Sequence, residues 1–435
     1  MTINEQTREY ISQHADDDVR RLALKGTRSP EVDLQTALQQ IAGRQTARRK
    51  LPTWAATDGI VYPPHLNMEQ CSSEQTARYK AALTASLFVE KSVNGKSVNG
   101  KSVNGKSVNG KCIDLTGGLG VDFYWMAQNF EERIYVERDK NLCDIAKQNF
   151  QTLGLQCTVV CDEAAHFLAT LDHADVIFLD PARRNDRGAR TYDIRDCTPN
   201  VLDMLPMMLR KTDCIVMKLS PMLDWNKAAA DLNAAGMPGR VSQVHIVSVD
   251  NECKELLIVM ENDAKGAPRI VCADNDSIFE ADSLLPTLTA EADPRPVPAT
   301  MLTPAAATPA ATPVDACYLY EPNASIMKAG CFGLLEQRFA VRQIAHDSHL
   351  FLAGEEISRF PGRGFRLSAV STMNRQDLRR ALAGIAQANV SVRNFPLTAQ
   401  QLQKKLRLKD GGDTYIFATT MADGSHKLFI GRKIG

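Results

Sequence analysis

From Lys111 onward, short apolar runs alternate with stretches of helical spacing. The apolar runs cover 112–115, 134–136, 158–160, 176–179 and 215–219. Between them, 121–129, 140–153, 163–170 and 199–209 place apolar residues at helical intervals. Continuously apolar strands alternating with helices predict a parallel sheet covered on both faces. Two further runs, 241–249 and 255–260, are separated only by the polar stretch from Asp250 to Lys254, a spacing that predicts a hairpin.

Upstream the period is helical: 5–13, 16–25 and 31–49, with Asp16 and Ser29-Pro30 as start signals. Pro52, Pro63 and Pro64 interrupt the pattern around Trp54, and a helix over 73–88 begins in the capping-like Ser72-Ser73-Glu74. Lys-Ser-Val-Asn-Gly then occurs four times over 91–110. Asn-Gly is a turn dipeptide, and a five-residue period suits neither helix nor strand, so a flexible insertion is expected. Seven prolines between 286 and 313, spaced by alanine and threonine, mark a linker over 286–314. Beyond it, 318–356 reads as mixed α/β. The end, 365–433, reads as a strand, helices over 375–389 and 398–406, and a hairpin of 414–420 with 426–432.

At 435 residues the chain is long enough for two or three domains. No run of eighteen apolar residues occurs, so no membrane helix is expected. The start of the chain is polar and acidic, unlike a signal peptide. Eleven cysteines without a Cys-x-x-Cys pair argue for reduced thiols in a cytoplasm and against a metal site. The zero net charge hides an asymmetry: residues 358–435 hold 14 Lys plus Arg against 4 Asp plus Glu, leaving −10 on the remainder. A basic end on an acidic body predicts a polyanionic partner.

The candidate chemistry gathers at strand ends. Asp114-Leu-Thr116-Gly117-Gly118-Leu-Gly120 closes the first strand and precedes a helix beginning at Val121 with Asp122. Glycines allow a tight turn and close backbone approach to a ligand. A dinucleotide pyrophosphate wants Gly-x-Gly-x-x-Gly there; Asp114 beside Gly-Gly-x-Gly instead repels phosphate and attracts the ammonium of S-adenosylmethionine. Glu137, followed by Arg138, ends the second strand where an acid can accept from ribose hydroxyls. Asp162 follows the third, where an acid can accept from an adenine amino group. Three acids after three successive strands, with the glycine turn, point to S-adenosylmethionine.

The fourth strand ends in Asp180-Pro181-Ala-Arg183-Arg184, at the sheet edge that faces the reacting methyl in such a fold. The Asp-Pro turn can aim a carboxylate and a carbonyl at a substrate nitrogen. Arg183, Arg184, Arg187 and Arg190 bind phosphate, or pair with Asp186, Asp193 and Asp196. Lys218, ending the fifth strand, touches a substrate anion or pairs with Asp180. Cys161 and Cys197 lie near this edge without a motif that would make either a nucleophile.

These motifs resemble bacterial class I methyltransferases with a C-terminal THUMP-like domain. The resemblance rests on Lys50-Leu-Pro-Thr-Trp54, Glu69-Gln-Cys-Ser-Ser-Glu74 with Ala77 and Lys80, Asp114 to Gly120, Val136-Glu137-Arg138, Leu179 to Arg184 and Lys218-Leu-Ser-Pro221. It extends through Tyr320-Glu-Pro-Asn-Ala-Ser-Ile326, Arg393-Asn-Phe-Pro396 and 404–412. The stretch Asp114 to Asp122 is also similar to a family of ribosomal RNA guanine methyltransferases.

The resemblance implies a Rossmann-like class I methyltransferase sheet with an N-terminal helical region and two small C-terminal α+β domains. The expected boundaries are 1–90 helical, 91–110 repeat, 111–265 methyltransferase, 266–357 ferredoxin-like including the linker, and 358–435 THUMP-like. The expected activity is methyl transfer to a base of ribosomal or transfer RNA, with Asp180, Pro181, Arg183 and Lys218 at the chemistry. Asp114, Thr116, Gly117, Gly118, Gly120, Asp122, Glu137, Arg138, Asp162 and Asp180 are expected to hold the cofactor. Arg393, Lys404, Lys405, Arg407 and Lys409 are expected to meet RNA. Rival readings are a small-molecule or protein methyltransferase, and an RNA-binding protein whose methyltransferase fold is inactive.

Overall fold

The computed structural model describes residues 3–27, 29–93, 108–183, 193–237, 239–281 and 317–435. The proline-rich linker, Arg184, Arg187 and Arg190 lie outside the described residues. So does most of the pentapeptide repeat, yet its two ends depart from the expectation of a separate insertion: its first residues continue a helix and its last begin a strand. The chain forms two compact units, Met1–Val244 with Glu255–Gly266, and His245–Lys254 with Ala267–Gly435.

The first unit opens with helices α1 (Glu5–Gln13), α2 (Val19–Lys25), α3 (Leu34–Lys50), α4 (Pro52–Ala55), α5 (His65–Gln70) and α6 (Glu74–Val93). Asp18 and Asp33 cap α2 and α3, accepting from Arg21 and Thr36 backbone N–H groups; the expected starts at Asp16 and Ser29-Pro30 fall short of these caps. Next come β1 (Val108–Asp114), α7 (Val121–Ala127), β2 (Phe130–Glu137), α8 (Lys140–Thr152), β3 (Thr158–Cys161), α9 (Ala164–Thr170) and β4 (Val176–Leu179). A two-residue ladder, β5 (Ala182–Arg183) with β6 (Cys197–Thr198), follows, then α10 (Val201–Lys211), β7 (Cys214–Leu219) and α11 (Trp225–Ala235). The hairpin is β8 (Arg240–Val249) and β9 (Glu252–Glu261).

β3, β2, β1, β4 and β7 lie side by side, all parallel, and β9 joins β7 antiparallel with β8 outside it. The strand order therefore reverses between β1 and β4, so their carboxyl ends open a crevice at one edge, the place where such sheets bind ligands. The helical region is part of this unit's core. Trp54, Tyr62, Met68 and Ala77 pack with Leu119, Val121 and Ile145, and the buried Asn149 exchanges hydrogen bonds with the Val61 backbone at 2.8 and 2.9 Å.

In the second unit the tip of the β8–β9 hairpin is followed by β10 (Arg269–Asp274) and β11 (Ser277–Ala281), an antiparallel pair turning at Asn275, which has φ 51°. A second sheet carries, in order, β13 (Arg342–Gln343), β14 (Phe351–Ala353), β12 (Tyr318–Pro322), β15 (Gly362–Thr372), β18 (His426–Lys433), β17 (Thr414–Thr420) and β16 (Asn389–Arg393). The helix expected over 375–389 stops at Ala381, and Asn389–Arg393 is instead a strand parallel to β17. Gly384, at φ 78°, turns the chain between them.

Candidate active site

The glycine turn is built by packing as much as by conformation. A Cβ on Gly117 would fall 2.0 Å from the Tyr135 ring, and one on Gly120, at φ 86°, 2.5 Å from Phe150. Both positions therefore require glycine; a Cβ on Gly118 would meet nothing closer than 3.9 Å, and there it is the φ of 56° that favours glycine. The turn is tied to its surroundings by Gly117 N–H to the Val136 carbonyl at 2.9 Å, and by the Tyr135 hydroxyl donating to the Gly118 carbonyl. Glu137 is half-buried and accepts from Gly118 N–H at 2.8 Å through one oxygen and from Asp139 N–H at 2.9 Å through the other. A carboxylate has about four acceptor positions, so two remain on Glu137.

Asp114 is 1% exposed and accepts from Thr116 N–H at 2.9 Å. Burial raises its pKa well above the carboxylate range; the Thr116 bond opposes this, and the charges of Asp122, Asp180 and Glu137 add to it. Asp162 accepts from Glu163 N–H at 2.8 Å and pairs with His166 at 2.6 Å. Arg138 is exposed.

After β4, Thr116 Oγ1 accepts the Asp180 backbone N–H at 2.6 Å, and Lys218 Nζ lies 2.5 Å from the Asp180 carboxylate. Of the two roles open to Lys218, the pair with Asp180 is the one present. Pro181 is buried, and Arg183 forms β5 against Cys197. Cys197 is buried at 6% and Cys161 is exposed.

Sequence reasoning attached no chemistry to Ser72, Lys80 or Glu255, yet they join this edge. Lys80, 0% exposed on α6, pairs with Glu255 on β9 and lies 3.2 Å from Asp122 on α7. Ser72 Oγ lies 2.7 Å from Asp122 and 3.1 Å from Glu255. Lys218 lies 3.9 Å from Asp122. Burial works against the Lys218 charge, but Asp180, Asp122 and Glu255 outweigh it and raise its pKa. For Glu255 burial pushes upward, but Lys80 and Lys218 prevail and lower it. Asp122 is thus placed between two ammoniums.

The flanking motifs explain how α6 is held. Thr53 donates through its N–H and hydroxyl to Glu74, at 2.8 and 2.7 Å, and Lys50 donates to the Met68 and Glu69 carbonyls at 2.9 and 2.6 Å. The only signal available in sequence was a lysine three residues after Ala77 and three before Leu83, on the face of the helix that carries its apolar residues.

In the second unit, the helix Ala399–Leu406 opens with a capping box, Thr398 with Gln401, and buries Leu402 among Ala388, Ile416 and Ile430. That orientation exposes Lys404, Lys405, Arg407 and Lys409, which have no ion-pair partner among the described residues. Arg393 is not with them: it and Arg363 pair with Glu321, which is 2% exposed. Among the described residues no helix is long and apolar enough to cross a membrane.

No curated protein matches this sequence. Among solved structures, a "putative methyltransferase" from Porphyromonas gingivalis W83 is similar over 100% of both chains, at 26% identity and a TM-score of 0.79. A SAM-dependent methyltransferase from Agrobacterium tumefaciens is 14% identical, over 42% of this chain and 62% of its own, at a TM-score of 0.30. Residues 318–361 match the family model of a ferredoxin-like domain, and residues 362–433 that of a THUMP-like domain. The chain is thus a mixed α/β protein whose larger sheet has the class I methyltransferase fold and whose C-terminal part carries ferredoxin-like and THUMP-like domains.

Proposed function

We propose that the protein is an S-adenosylmethionine-dependent methyltransferase acting on a base of ribosomal or transfer RNA in the cytoplasm. The observation that carries the cofactor is the crowd of carboxylates at the glycine turn. Asp114, Asp122, Glu137 and Asp180 lie close enough that the last three raise the pKa of the first. A pyrophosphate would add to that repulsion; a ligand carrying an ammonium and a sulfonium relieves it. Gly118 leaves open space over the turn, and Glu137 keeps acceptor positions for ribose hydroxyls. The residues present therefore fit S-adenosylmethionine.

When bound, that group supplies an electrophilic methyl. The residues of the chain do the rest. Asp114 and Glu137 bind and orient; the Thr116 bond fixes the backbone at Asp180; and burial raises the Asp180 pKa while Lys218, paired with its carboxylate, opposes that rise. Such a carboxylate suits a substrate N–H, which it can orient and whose proton it can receive. The exposed cations of the THUMP-like domain support RNA as the substrate.

The test is methyl-label transfer to total RNA from a deletion strain, followed by nucleoside mass spectrometry. Label in one modified nucleoside is expected. Label only in protein or small molecules would overturn the RNA substrate, and cofactor binding without any transfer would overturn the enzyme.

A further inference from the structure

The ionic cluster behind Asp180 has a charge balance and a location that packing does not require. Lys80 and Lys218 face Asp122, Asp180 and Glu255, which leaves one uncompensated negative charge when all five are ionised. Four of the five side chains are 12% exposed or less, while Asp180, at 37%, opens to the crevice. Buried ion clusters are costly, and apolar residues of equal volume would generally hold a core better. This one draws on α6, α7, β7, β9 and the turn after β4 and ends at the group placed nearest the chemistry.

We propose that Lys80 and Glu255 are positioning residues which, through Asp122 and Lys218, set the charge felt at the sulfur of the cofactor, so that the site distinguishes the methyl donor from its demethylated product. This inference rests on the cofactor reading above. During transfer the S–CH3 bond breaks and its electron pair returns to sulfur. The methyl bonds to the acceptor, which gives up a proton. Sulfonium becomes neutral thioether, and the excess negative charge of the cluster loses its partner. The cluster thus favours the donor over the product, and its imbalance after transfer assists product release.

The readout is the ratio of affinities for S-adenosylmethionine and S-adenosylhomocysteine, two ligands that differ by one methyl and one charge. Calorimetry at about pH 8.5 favours the ionised form of a carboxyl that has lost its counter-ion. Lys80→Met removes a positive charge and should shift the ratio toward the donor by about tenfold, the order expected for one unit of charge in a partly screened interior. Glu255→Gln, close to isosteric, should shift it toward the product by a similar factor. The double variant restores the balance and should return the ratio to the wild-type value. A purely structural role would lower melting temperature and both affinities together without moving the ratio.

Ratios within twofold of wild type in the folded variants, with wild type binding both ligands, would overturn this inference alone. If Lys80→Met does not fold, Glu255→Gln and the double variant decide. A wild-type chain that binds neither ligand would overturn the cofactor reading, and this inference with it.

Discussion

The hydroxyl of Thr116 accepts the backbone N–H of Asp180 at 2.6 Å, joining the glycine turn after β1 to the Asp-Pro turn after β4 across 64 residues of sequence. One side chain thereby sets the spacing between the two turns. Thr116→Val keeps the shape and removes the acceptor. The half-buried Asp180 N–H then loses its partner, at a cost of about 1–3 kcal/mol. A drop in stability of that size by urea denaturation is expected, with weaker S-adenosylmethionine binding by calorimetry. Unchanged values in both would mean that the two turns are positioned independently.

Glu137 does two jobs with one carboxylate. Its bonds to Gly118 and Asp139 shape the turn, and about two acceptor positions are left over for a ligand. Glu137→Ala should weaken S-adenosylmethionine binding by about 1.5–3 kcal/mol, the value of hydrogen bonds to a charged acceptor. Glu137→Gln keeps one acceptor oxygen and should fall between alanine and wild type. Equal affinity in all three proteins would remove Glu137 from the cofactor site.

Much of this edge was readable in sequence because the strands are buried on both faces. The apolar runs at 176–179 and 215–219 need no partner to be recognised, and Asp180 after the first and Lys218 within the second stand out as polar residues among apolar ones. Lys80 could not be read this way. Its burial depends on Glu255, 175 residues away, and on a helix that packs against the sheet. The β10–β11 hairpin was also missed, although Asp274-Asn275-Asp276 is a turn signal and Asn275 takes the left-handed conformation. Val390 and Val392 alternate with polar residues in β16, but helix formers upstream masked the change of period at Gly384.

The protonation of Asp114 gives opposite pH dependences with and without ligand. Burial raises its folded pKa. An acid that holds its proton more tightly when folded adds stability below the unfolded pKa of about 3.9 and loses it as pH rises through the folded value. The ligand-free melting temperature should carry this falling contribution, and Asp114→Asn should remove it. Cofactor affinity should run the other way, since an ammonium prefers the ionised carboxylate. Binding should release protons over the same window, measurable by calorimetry in buffers of different ionisation heat. A pH-independent affinity and no proton release would show that Asp114 does not meet the cationic end of the ligand.

The basic face of the THUMP-like domain makes its own prediction, and the pairing of Arg393 with Glu321 changes its size. Four of the five cations expected to meet RNA remain exposed without ion pairs among the described residues: Lys404, Lys405, Arg407 and Lys409. Each phosphate neutralised releases condensed counterions, so four contacts give a slope of log affinity against log salt between roughly −2.8 and −3.6. Replacing Lys404, Lys405 and Arg407 with alanine should make the slope shallower by about two to three. Cofactor binding should stay unchanged, because none of these residues belongs to the glycine turn or to the strand ends beside it. Arg393→Ala should behave differently. It leaves the buried Glu321 with Arg363 as its remaining ion-pair partner among the described residues, so it should lower melting temperature more than it changes the slope. A filter-binding salt titration beside thermal melts separates these outcomes. Identical slopes for wild type and the triple variant would show that this face does not track a phosphate backbone, and would take away the main support for RNA as the substrate.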